Sequence, residues 1–335
     1  MNTNSEQNTI SPIDTTIKVY HVGGRGGGIG PMECLFHLKD QLHLTTFEAD
    51  IEGNGDTSWV GEFENWGAEM GIRVSIVQKC LYNHIGRKKF HINVMPDCSS
   101  LLSISPDAQK YQRLECGGQC RLPWVQICQP THTIELEVTT LDELQAKQNL
   151  AMPDFLSLDV QGAEYEILEG ASKCLYGDVL GVITEVEFRE LYEGQKLFAD
   201  QNNLLKKHHF DLFELYSIEH WYSGPIIGKG ALVVAEALFL RDYRYYIDKN
   251  TTSELLCNLS KLAMIARCFD RGSYAYEILD YITNNLSNEW DNFVRKNNCD
   301  YLQYLKDFYK DAKAFGLEQN KQLPTWVDYQ AMVSK

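Results

Sequence analysis

The sequence predicts a doubly wound, mostly parallel α/β sheet followed by a helical C-terminal appendage. Three observations carry this prediction. Short apolar runs that are typical of buried strands alternate with helical patterns along most of the chain. A glycine-rich turn joins the first strand to the first helix. Beyond Asp248, apolar residues recur only at helical spacing.

The elements of the first half follow from local signals. An apolar run at 17–22 predicts a strand that enters the glycine turn, and Pro31 suits the first turn of the helix that follows. Residues 53–71 are polar and rich in glycine and aromatic residues, which predicts a loop with one helical turn. Thr140 and Glu143 form a capping box that starts a short helix.

Strands and further helices complete the predicted architecture. The predicted strands are 17–22, 44–47, 72–77, 90–94, 134–138, 155–158, 181–183, 210–216 and 231–240. The further predicted helices are 31–42, 163–175, 197–208, 253–269, 274–286, 288–296 and 301–315. We therefore expect three regions: a flexible arm at 1–15, the α/β domain at 16–248, and an appendage of three to four helices at 249–335.

Composition excludes several classes of function. The 335 residues carry a net charge of -15, which opposes sequence-independent binding to nucleic acid or to anionic lipid. The polar N-terminus has no apolar segment typical of an export signal, and no run is long enough to cross a bilayer. We therefore expect a cytoplasmic protein whose ten cysteines are reduced thiols.

One cysteine cluster has the ligand types of a structural zinc site. Cys116, Cys120, Cys128 and His132 form a C-x3-C-x7-C-x3-H pattern. The spacing departs from the common C-x2-C pattern, so plain thiols in an irregular segment are the preferred interpretation.

The glycine turn and the strand after it predict a pocket for an adenosine group. Glycines let the backbone approach a ligand closely. Glu48 ends the next strand, where an acid can accept hydrogen bonds from both ribose hydroxyls. NAD and S-adenosylmethionine share this geometry, so the turn alone does not choose between them.

Residues 153–198 place three acids at the ends of two further strands. Asp159 follows the run 155–158, and Glu185 and Glu187 follow the run 181–183 on one side of the strand. Ligands of open parallel sheets bind at these carboxyl ends, which makes the three acids catalytic candidates.

This stretch resembles the FkbM-type methyltransferase family. The resemblance is carried by FLSLDVQGAEYEILEGA and by ITEVEFRELYEGQKLF, and it extends over about Val19 to Arg241. It implies a Rossmann-like fold and an S-adenosylmethionine-dependent O-methyltransferase of sugars, glycans or polyketide-derived products. Combined with the glycine turn, it gives these cofactor-binding candidates: His21, Gly23, Gly24, Arg25, Gly27, Glu48, Ala49, Ser99, Ser100 and Asp159.

The chain departs from the family pattern at the first motif. The family has an acid and an Asn where this sequence has His21 and Arg25. The acid normally helps to hold the cationic end of the cofactor, so either another carboxylate takes that role or the affinity is lower.

Methyl transfer to a hydroxyl requires an in-line approach and removal of a proton. Asp159 or Glu187 is the predicted base, and Glu185 is predicted to orient the acceptor. In a second version these acids bind Mg²⁺ or Mn²⁺, which lowers the pKa of the acceptor hydroxyl. The plainer alternative is strand-end charges paired with Lys or Arg.

Residues other than the three acids are the candidates for contacts with the substrate. Tyr192 and His220 are candidates, and Trp221 and Tyr222 are placed with His220 on a loop that overhangs the acceptor. The predicted acceptor is a nucleotide-linked sugar or a surface-polysaccharide precursor, whose phosphates call for basic residues. The basic candidates are Arg25, Arg87, Arg113 and Lys229.

Three other functions remain open at this point. They are a methyltransferase of a natural-product hydroxyl, an NAD-dependent oxidoreductase, and a scaffold that has lost catalysis. The apolar helical faces of the appendage fit a homo-oligomer contact, an acceptor-site lid or a docking module equally well.

Overall fold

The structure is a computed structural model that describes residues 13–23, 30–49, 58–115, 120–148, 150–315 and 326–333. It divides into two compact units. One unit is Ile17–Tyr245, and the other combines the described residues before Ile17 with those from Tyr246 onward. Residues 1–12 of the predicted arm lie outside the described ranges.

The first unit is built on a seven-stranded sheet. The strands of the described chain are β1 Ile17–Val22, β2 Leu42–Glu48, β3 Arg73–Gln78, β4 Cys80–Leu81, β5 Gly86–Asn93, β6 Arg113–Glu115, β7 Cys120–Leu122, β8 Pro130–Thr139, β9 Phe155–Leu158, β10 Gly181–Glu187, β11 Phe210–Trp221 and β12 Ala231–Arg241. The large sheet has the order β11-β12-β10-β9-β1-β2-β3, and β12 alone runs against the other six. This confirms the predicted mostly parallel α/β fold.

The centre of the sheet is apolar on both faces. All four residues of β9 are buried, as are six of the seven in β10 and five of the six in β1. Burial on both faces is the pattern expected when helices cover a parallel sheet on each side. The strand order reverses between β1 and β9, so a ligand crevice is expected at the carboxyl ends of these two strands.

The helices of the described chain are α1 Ser58–Met70, α2 Trp124–Ile127, α3 Leu141–Gln148, α4 Glu164–Glu169, α5 Ser172–Tyr176, α6 Phe198–Lys207, α7 Thr252–Cys268, α8 Gly272–Asn285, α9 Ser287–Asn297, α10 Asp300–Phe315 and α11 Trp326–Val333. The helix expected after the glycine turn is a 3₁₀ segment, Gly30–Gln41, interrupted at Lys39. The capping of α3 is confirmed in part, because Thr140 Oγ1 accepts the Glu143 N–H at 3.0 Å.

Two helix predictions are wrong. The sequence predicts mainly loop for residues 58–70, but they form the 13-residue α1. In this helix Gly67 packs closely against β3, because a Cβ on it would lie 2.6 Å from the Val74 side chain. The single helix expected over 163–175 is broken into α4 and α5 at Gly170. A Cβ on Gly170 would collide with the carbonyl oxygen of Tyr82, so contact with this backbone selects glycine there.

The expected loop around His220 is also a wrong prediction. Strand β11 continues through Trp221, and His220 pairs in register with Leu232 of β12. The strand crosses irregularities in register near Glu214 and Glu219, which interrupt the alternation that marks a strand.

Two smaller sheets lie between β3 and α3 in the chain. One has the order β4-β8-β5, and β6 pairs with β7 in the other. Alternation predicted two separate strands here, at 90–94 and 134–138. In the structure they are the longer β5 and β8, which pair antiparallel over most of their length.

The second unit is helical. Helix α7 contacts α8, α9 and α10, and a capping box of Thr251 and Glu254 starts it. The predicted spans at 253–269, 274–286, 288–296 and 301–315 correspond to α7–α10, and α11 is an addition that the sequence pattern did not predict. Across the described ranges, no helix combines the length and the hydropathy that a bilayer crossing requires.

Candidate active site

The turn after β1 brings two strands of the sheet into close contact. Gly23 has a φ of +99°, and a Cβ on it would lie 1.7 Å from the carbonyl oxygen of Asp159. The Gly23 N–H donates to the Phe47 carbonyl at 3.1 Å, and the Asp159 N–H donates to the Val22 carbonyl at 3.0 Å. These contacts join the carboxyl ends of β1, β2 and β9 at the point where the strand order reverses.

A pocket opens at this junction. Its lining residues are Val22, Gly23, Phe47, Glu48, Ala49, Lys79, Cys80, Leu81, Phe90, Pro96, Asp97, Cys98, Ser99, Leu101, Asp159, Val160, Gln161 and Ile167. Apolar side chains make up most of the lining. Three acids, Glu48, Asp97 and Asp159, and one base, Lys79, supply its charges.

The predicted cofactor residues divide into three groups. Five line the pocket: Gly23, Glu48, Ala49, Ser99 and Asp159. Two do not line it, because His21 and Ser100 are buried and bonded elsewhere. The remaining three, Gly24, Arg25 and Gly27, lie outside the described residues.

His21 is a buried histidine of the sheet. Its Nδ1 lies 3.0 Å from the Ser157 Oγ on the neighbouring strand β9. Burial lowers its pKa from 6.5 to about 4, so the ring is neutral near pH 7. A neutral ring cannot replace an acid as a partner for a cationic ligand.

The burial of His21 predicts acid lability. An unfolded chain binds a proton near pH 6.5 and the folded chain only near pH 4, so stability is lost as the pH falls through this window. Between pH 7.5 and 4.5 the wild type should lose about 2 to 3 kcal/mol more stability than His21→Asn. Urea unfolding of both proteins at the two pH values measures this, and equal pH dependence would contradict it.

The turn after β9 orients Asp159. Gln161 and Gly162 have φ of +60° and +101°, and together they reverse the chain. Gln161 Nε2 donates to Asp159 Oδ1 at 2.9 Å, and Gln161 Oε1 accepts from the Tyr192 hydroxyl at 3.1 Å. A Cβ on Gly162 would lie 2.5 Å from the Tyr192 ring, so Tyr192 packs directly on the turn.

Glu164 stabilises the same turn through hydrogen bonds to its backbone. Its Oε1 accepts the N–H of Val160 at 2.8 Å and that of Gly162 at 3.1 Å. Its Oε2 is buried without a hydrogen-bond partner. One oxygen of Glu164, one of Asp159 and one of Glu185 all lie within 4.8 Å of one another.

Two more acids extend this group along the sheet. Glu187 follows Glu185 on the same side of β10. Glu236 lies on the neighbouring strand β12, directly opposite Glu185 in the strand register. Both Glu187 oxygens are buried without a partner. Within the described residues, none of these acids forms an ion pair with Lys or Arg. Among the described residues, the paired-charge alternative thus finds no Lys or Arg partner for these acids.

Burial and mutual repulsion raise the pKa of every acid in the group. Burial is the main cause for each of them. The pKa of Glu164 and that of Glu236 rise to about 7. The pKa values of Glu185 and Glu187 rise well above the ordinary value, with Asp159 and other neighbouring acids adding to the effect. Clustered groups with such perturbed pKa values are typical of functional sites.

The predicted substrate residues take different positions. Tyr192 is buried, and its ring meets Trp124 edge to face at 5.4 Å. His220 is a partly buried strand residue. Of the basic candidates, Arg113 pairs with Glu219 at 2.8 Å, and Arg87 lies 3.8 Å from Glu135. Lys79 instead supplies the positive charge in the pocket lining.

The cysteine and histidine pattern that has zinc-ligand types is only partly described. Cys116 lies outside the described ranges, as does the side chain of Cys120. Cys128 is buried beside Cys98, and a hydrogen bond between their thiols lowers the pKa of Cys98. His132 Nδ1 lies 3.0 Å from Thr131 Oγ1.

Residues 61–212 match the family model described as the methyltransferase FkbM domain. This part of the chain is similar to the FkbM methyltransferase domain. The match includes Asp159, Glu164, Glu185 and Glu187 and begins after the glycine turn. The matched part therefore contains the acid cluster, while His21 and Gly23 precede it.

The solved structures include a similar chain, the crystal structure of methyltransferase FkbM from Methylobacillus flagellatus KT at 2.20 Å resolution. The sequence identity is 11% and the TM-score is 0.36. The alignment covers 72% of this chain and 46% of that one, so it spans less than half of the solved protein. Among curated proteins, none matches the chain.

Several residues of the site carry little signal in the sequence. Glu164 is part of the stretch FLSLDVQGAEYEILEGA, and a glutamate two residues after Gly162 is the signal of a carboxylate that can fold back onto the turn. Asp97 and Gln161 line the pocket from turns outside the strand ends, and Lys79 lines it directly after the end of β3. Glu236 interrupts the apolar run of β12, and this interruption is the signal that marks it.

Proposed function

We propose that the protein is an S-adenosylmethionine-dependent O-methyltransferase. The observation that carries the proposal is the presence of Glu48 and Asp159 in one pocket at the strand-order reversal. Glu48 is positioned to accept hydrogen bonds from ribose hydroxyls, and Asp159 connects that pocket to the carboxylate cluster. The family match supports methyl transfer as the reaction class.

The pocket suits the two ends of S-adenosylmethionine. Phe47, Leu101 and Ile167 offer apolar contacts to an adenine ring, and Asp97 and Asp159 offer negative charge to a sulfonium or ammonium group. Since His21 is neutral and bonded to Ser157, these two acids compensate for the acid that the first motif lacks. When bound, the cofactor supplies an electrophilic methyl group.

The oxidoreductase alternative receives less support. A dinucleotide places its pyrophosphate at the start of the helix after the glycine turn. Here that segment is 3₁₀, and a Cβ on its first residue, Gly30, would lie 2.6 Å from a carboxylate oxygen of Glu236. An acid at this position repels an anionic pyrophosphate and favours a cationic ligand.

Replacing Asp97 should weaken binding of the cationic cofactor selectively. Asp97 is exposed, so we expect Asp97→Asn to cost about 1 kcal/mol, or roughly fivefold in the Kd for S-adenosylmethionine, with little effect on adenosine. Isothermal titration calorimetry with both ligands measures the difference. Asp107→Asn, in the next Pro-Asp turn but outside the pocket lining, is the matched control. Equal loss for both ligands would refute the assignment.

The chemistry assigned to the chain is proton removal and positioning. With the cofactor bound, the acceptor oxygen would bond to the methyl carbon as the sulfur–carbon bond breaks and its electrons return to sulfur. The hydroxyl proton leaves to the carboxylate cluster, with Asp159 as the member that lines the pocket. Glu185 and Glu187 lie on the neighbouring strand β10. We assign them to acceptor orientation and proton acceptance.

The acceptor class remains a prediction from the family resemblance. We keep a sugar hydroxyl, nucleotide-linked or in a surface-polysaccharide precursor, ahead of a natural-product hydroxyl. Lys79 is the described lining residue suited to a phosphate. A cytoplasmic location and self-association through the C-terminal helices likewise remain predictions.

One assay tests the proposed function. The purified full-length chain is incubated with methyl-labelled S-adenosylmethionine and a panel of nucleotide sugars, and the products are read by mass spectrometry. Label transferred to a sugar oxygen is the expected result. Label on nitrogen or carbon of the acceptor would contradict O-methylation.

A further inference from the structure

We propose that Asp159, Glu164 and Glu185 form a binding site for one hard divalent cation such as Mg²⁺ or Mn²⁺. Each residue offers one oxygen, and the three oxygens lie within 4.8 Å of one another. Oxygen ligands of these cations sit about 2.0 to 2.6 Å from the metal, so ligands on opposite sides are separated by about 4 to 5 Å. The spacing of the three oxygens fits around one ion.

Glu164 supplies an observation that is independent of this clustering. It is 1% exposed, and two backbone N–H groups hold its Oε1 in place. Its Oε2 is buried and has no hydrogen-bond partner. A buried acceptor without a partner destabilises the fold, and coordination of a cation would offset that cost.

Glu187, two residues after Glu185 on β10, also has buried carboxylate oxygens that a nearby cation would stabilise. It is 1% exposed, and neither of its oxygens has a hydrogen-bond partner of normal geometry. The Gln195 side chain is the neighbouring donor, and its Nε2 is also buried without a satisfied bond. Gln195 Oε1 is held by the N–H groups of Leu191 and Tyr192, so the amide orientation is fixed.

The charge balance favours a cation. Asp159, Glu164, Glu185 and Glu187 together carry four negative charges when ionised, and in the described part of the chain no Lys or Arg pairs with them. A set of carboxylate oxygens without sulfur or imidazole suits Mg²⁺, Mn²⁺ or Ca²⁺ rather than softer metals. Protons shared between the carboxyls are the competing way to remove the charge.

The role of the cation rests on the proposed function. Asp159 belongs both to the cation site and to the pocket lining, so a bound cation lies beside the place assigned to the acceptor hydroxyl. There it lowers the pKa of that hydroxyl and fixes its direction. The oxygen–methyl bond then forms as the sulfur–carbon bond breaks, and the proton leaves to a carboxylate.

The test is a binding measurement that needs neither cofactor nor acceptor. Chelator-treated full-length protein is titrated with Mn²⁺, and free Mn²⁺ is followed by electron paramagnetic resonance. We expect saturable binding of one Mn²⁺ per chain, competition by Mg²⁺, and at least tenfold weaker binding in Glu164→Gln. The Gln side chain keeps the oxygen that accepts from Val160 and Gly162, so the turn is retained.

Glu166→Gln is the matched control, because Glu166 lies two residues along the same helix, is also buried and is not a member of the cluster. Glu185→Gln is a second variant that leaves the turn untouched. Absence of saturable Mn²⁺ binding to the wild type overturns the site, as does wild-type Mn²⁺ affinity in both Glu164→Gln and Glu185→Gln. The methyl-transfer assay is read separately, so Mn²⁺ binding without transfer would overturn the proposed function and leave the cation site standing.

Discussion

Asp159→Asn should lower kcat for methyl transfer by about 10²- to 10⁴-fold, the range typical for loss of a positioned acid–base group. The substitution keeps the shape of the side chain and an oxygen that can accept from Gln161 Nε2. It removes the ionisable carboxyl group of Asp159, whose pKa is raised by burial and by the nearby charge of Asp97. Stability should therefore be unchanged or higher, which separates loss of chemistry from loss of folding.

Steady-state kinetics and thermal unfolding together measure this result. Asp178→Asn is the control, because Asp178 is exposed and precedes β10 at the opposite end of the sheet. A variant Asp159→Asn with wild-type kcat would remove Asp159 from the chemistry. Glu185→Gln and Glu187→Gln, measured alongside, assign orientation and proton acceptance by their separate effects on KM and kcat.

Gly23→Ala should be the most destabilising substitution at the site. The added Cβ would lie 1.7 Å from the Asp159 carbonyl oxygen, a backbone atom that cannot rotate away. The φ of +99° adds strain of about 1 to 3 kcal/mol for a residue with a Cβ. We expect a loss of about 4 kcal/mol or more, together with loss of cofactor binding, because β1 and β9 must separate.

Gly228→Ala isolates the contribution of the backbone conformation. Gly228 has a φ of +72°, but no atom lies within 4 Å of the position of its Cβ. Its substitution should cost only about 1 kcal/mol. Urea unfolding of the two variants compares steric and conformational costs directly. If they are equally stable, the close approach of Gly23 to Asp159 is not what the fold requires.

The strand ends were predictable because their signals are local. Apolar runs that end in an acid mark Glu48, Asp159 and Glu185 without any knowledge of tertiary contacts. The central strands are buried on both faces, so their sequences read as continuous apolar segments. The same reasoning predicted the order of strand, glycine turn and acid around the pocket.

Glu164 was not predictable as a site residue from periodicity. Its side chain reaches the cluster because Gln161 adopts a positive φ, which residues other than glycine rarely do. Breaks such as the one at Gly170 depend on the distant backbone of Tyr82, which no local pattern contains. The extent of β11 depends on register shifts against β12, which no local pattern contains, so the sequence around His220 wrongly predicts a loop.

A calorimetric titration of the full-length chain with S-adenosylhomocysteine and, separately, with NADH tests the central claim most directly. The pocket around Glu48 and Asp159 predicts one-site binding of S-adenosylhomocysteine and no binding of NADH. Glu48→Ala should weaken that binding, because the variant loses the acceptor for the ribose hydroxyls. Binding of NADH without S-adenosylhomocysteine, or of neither ligand, would contradict the account.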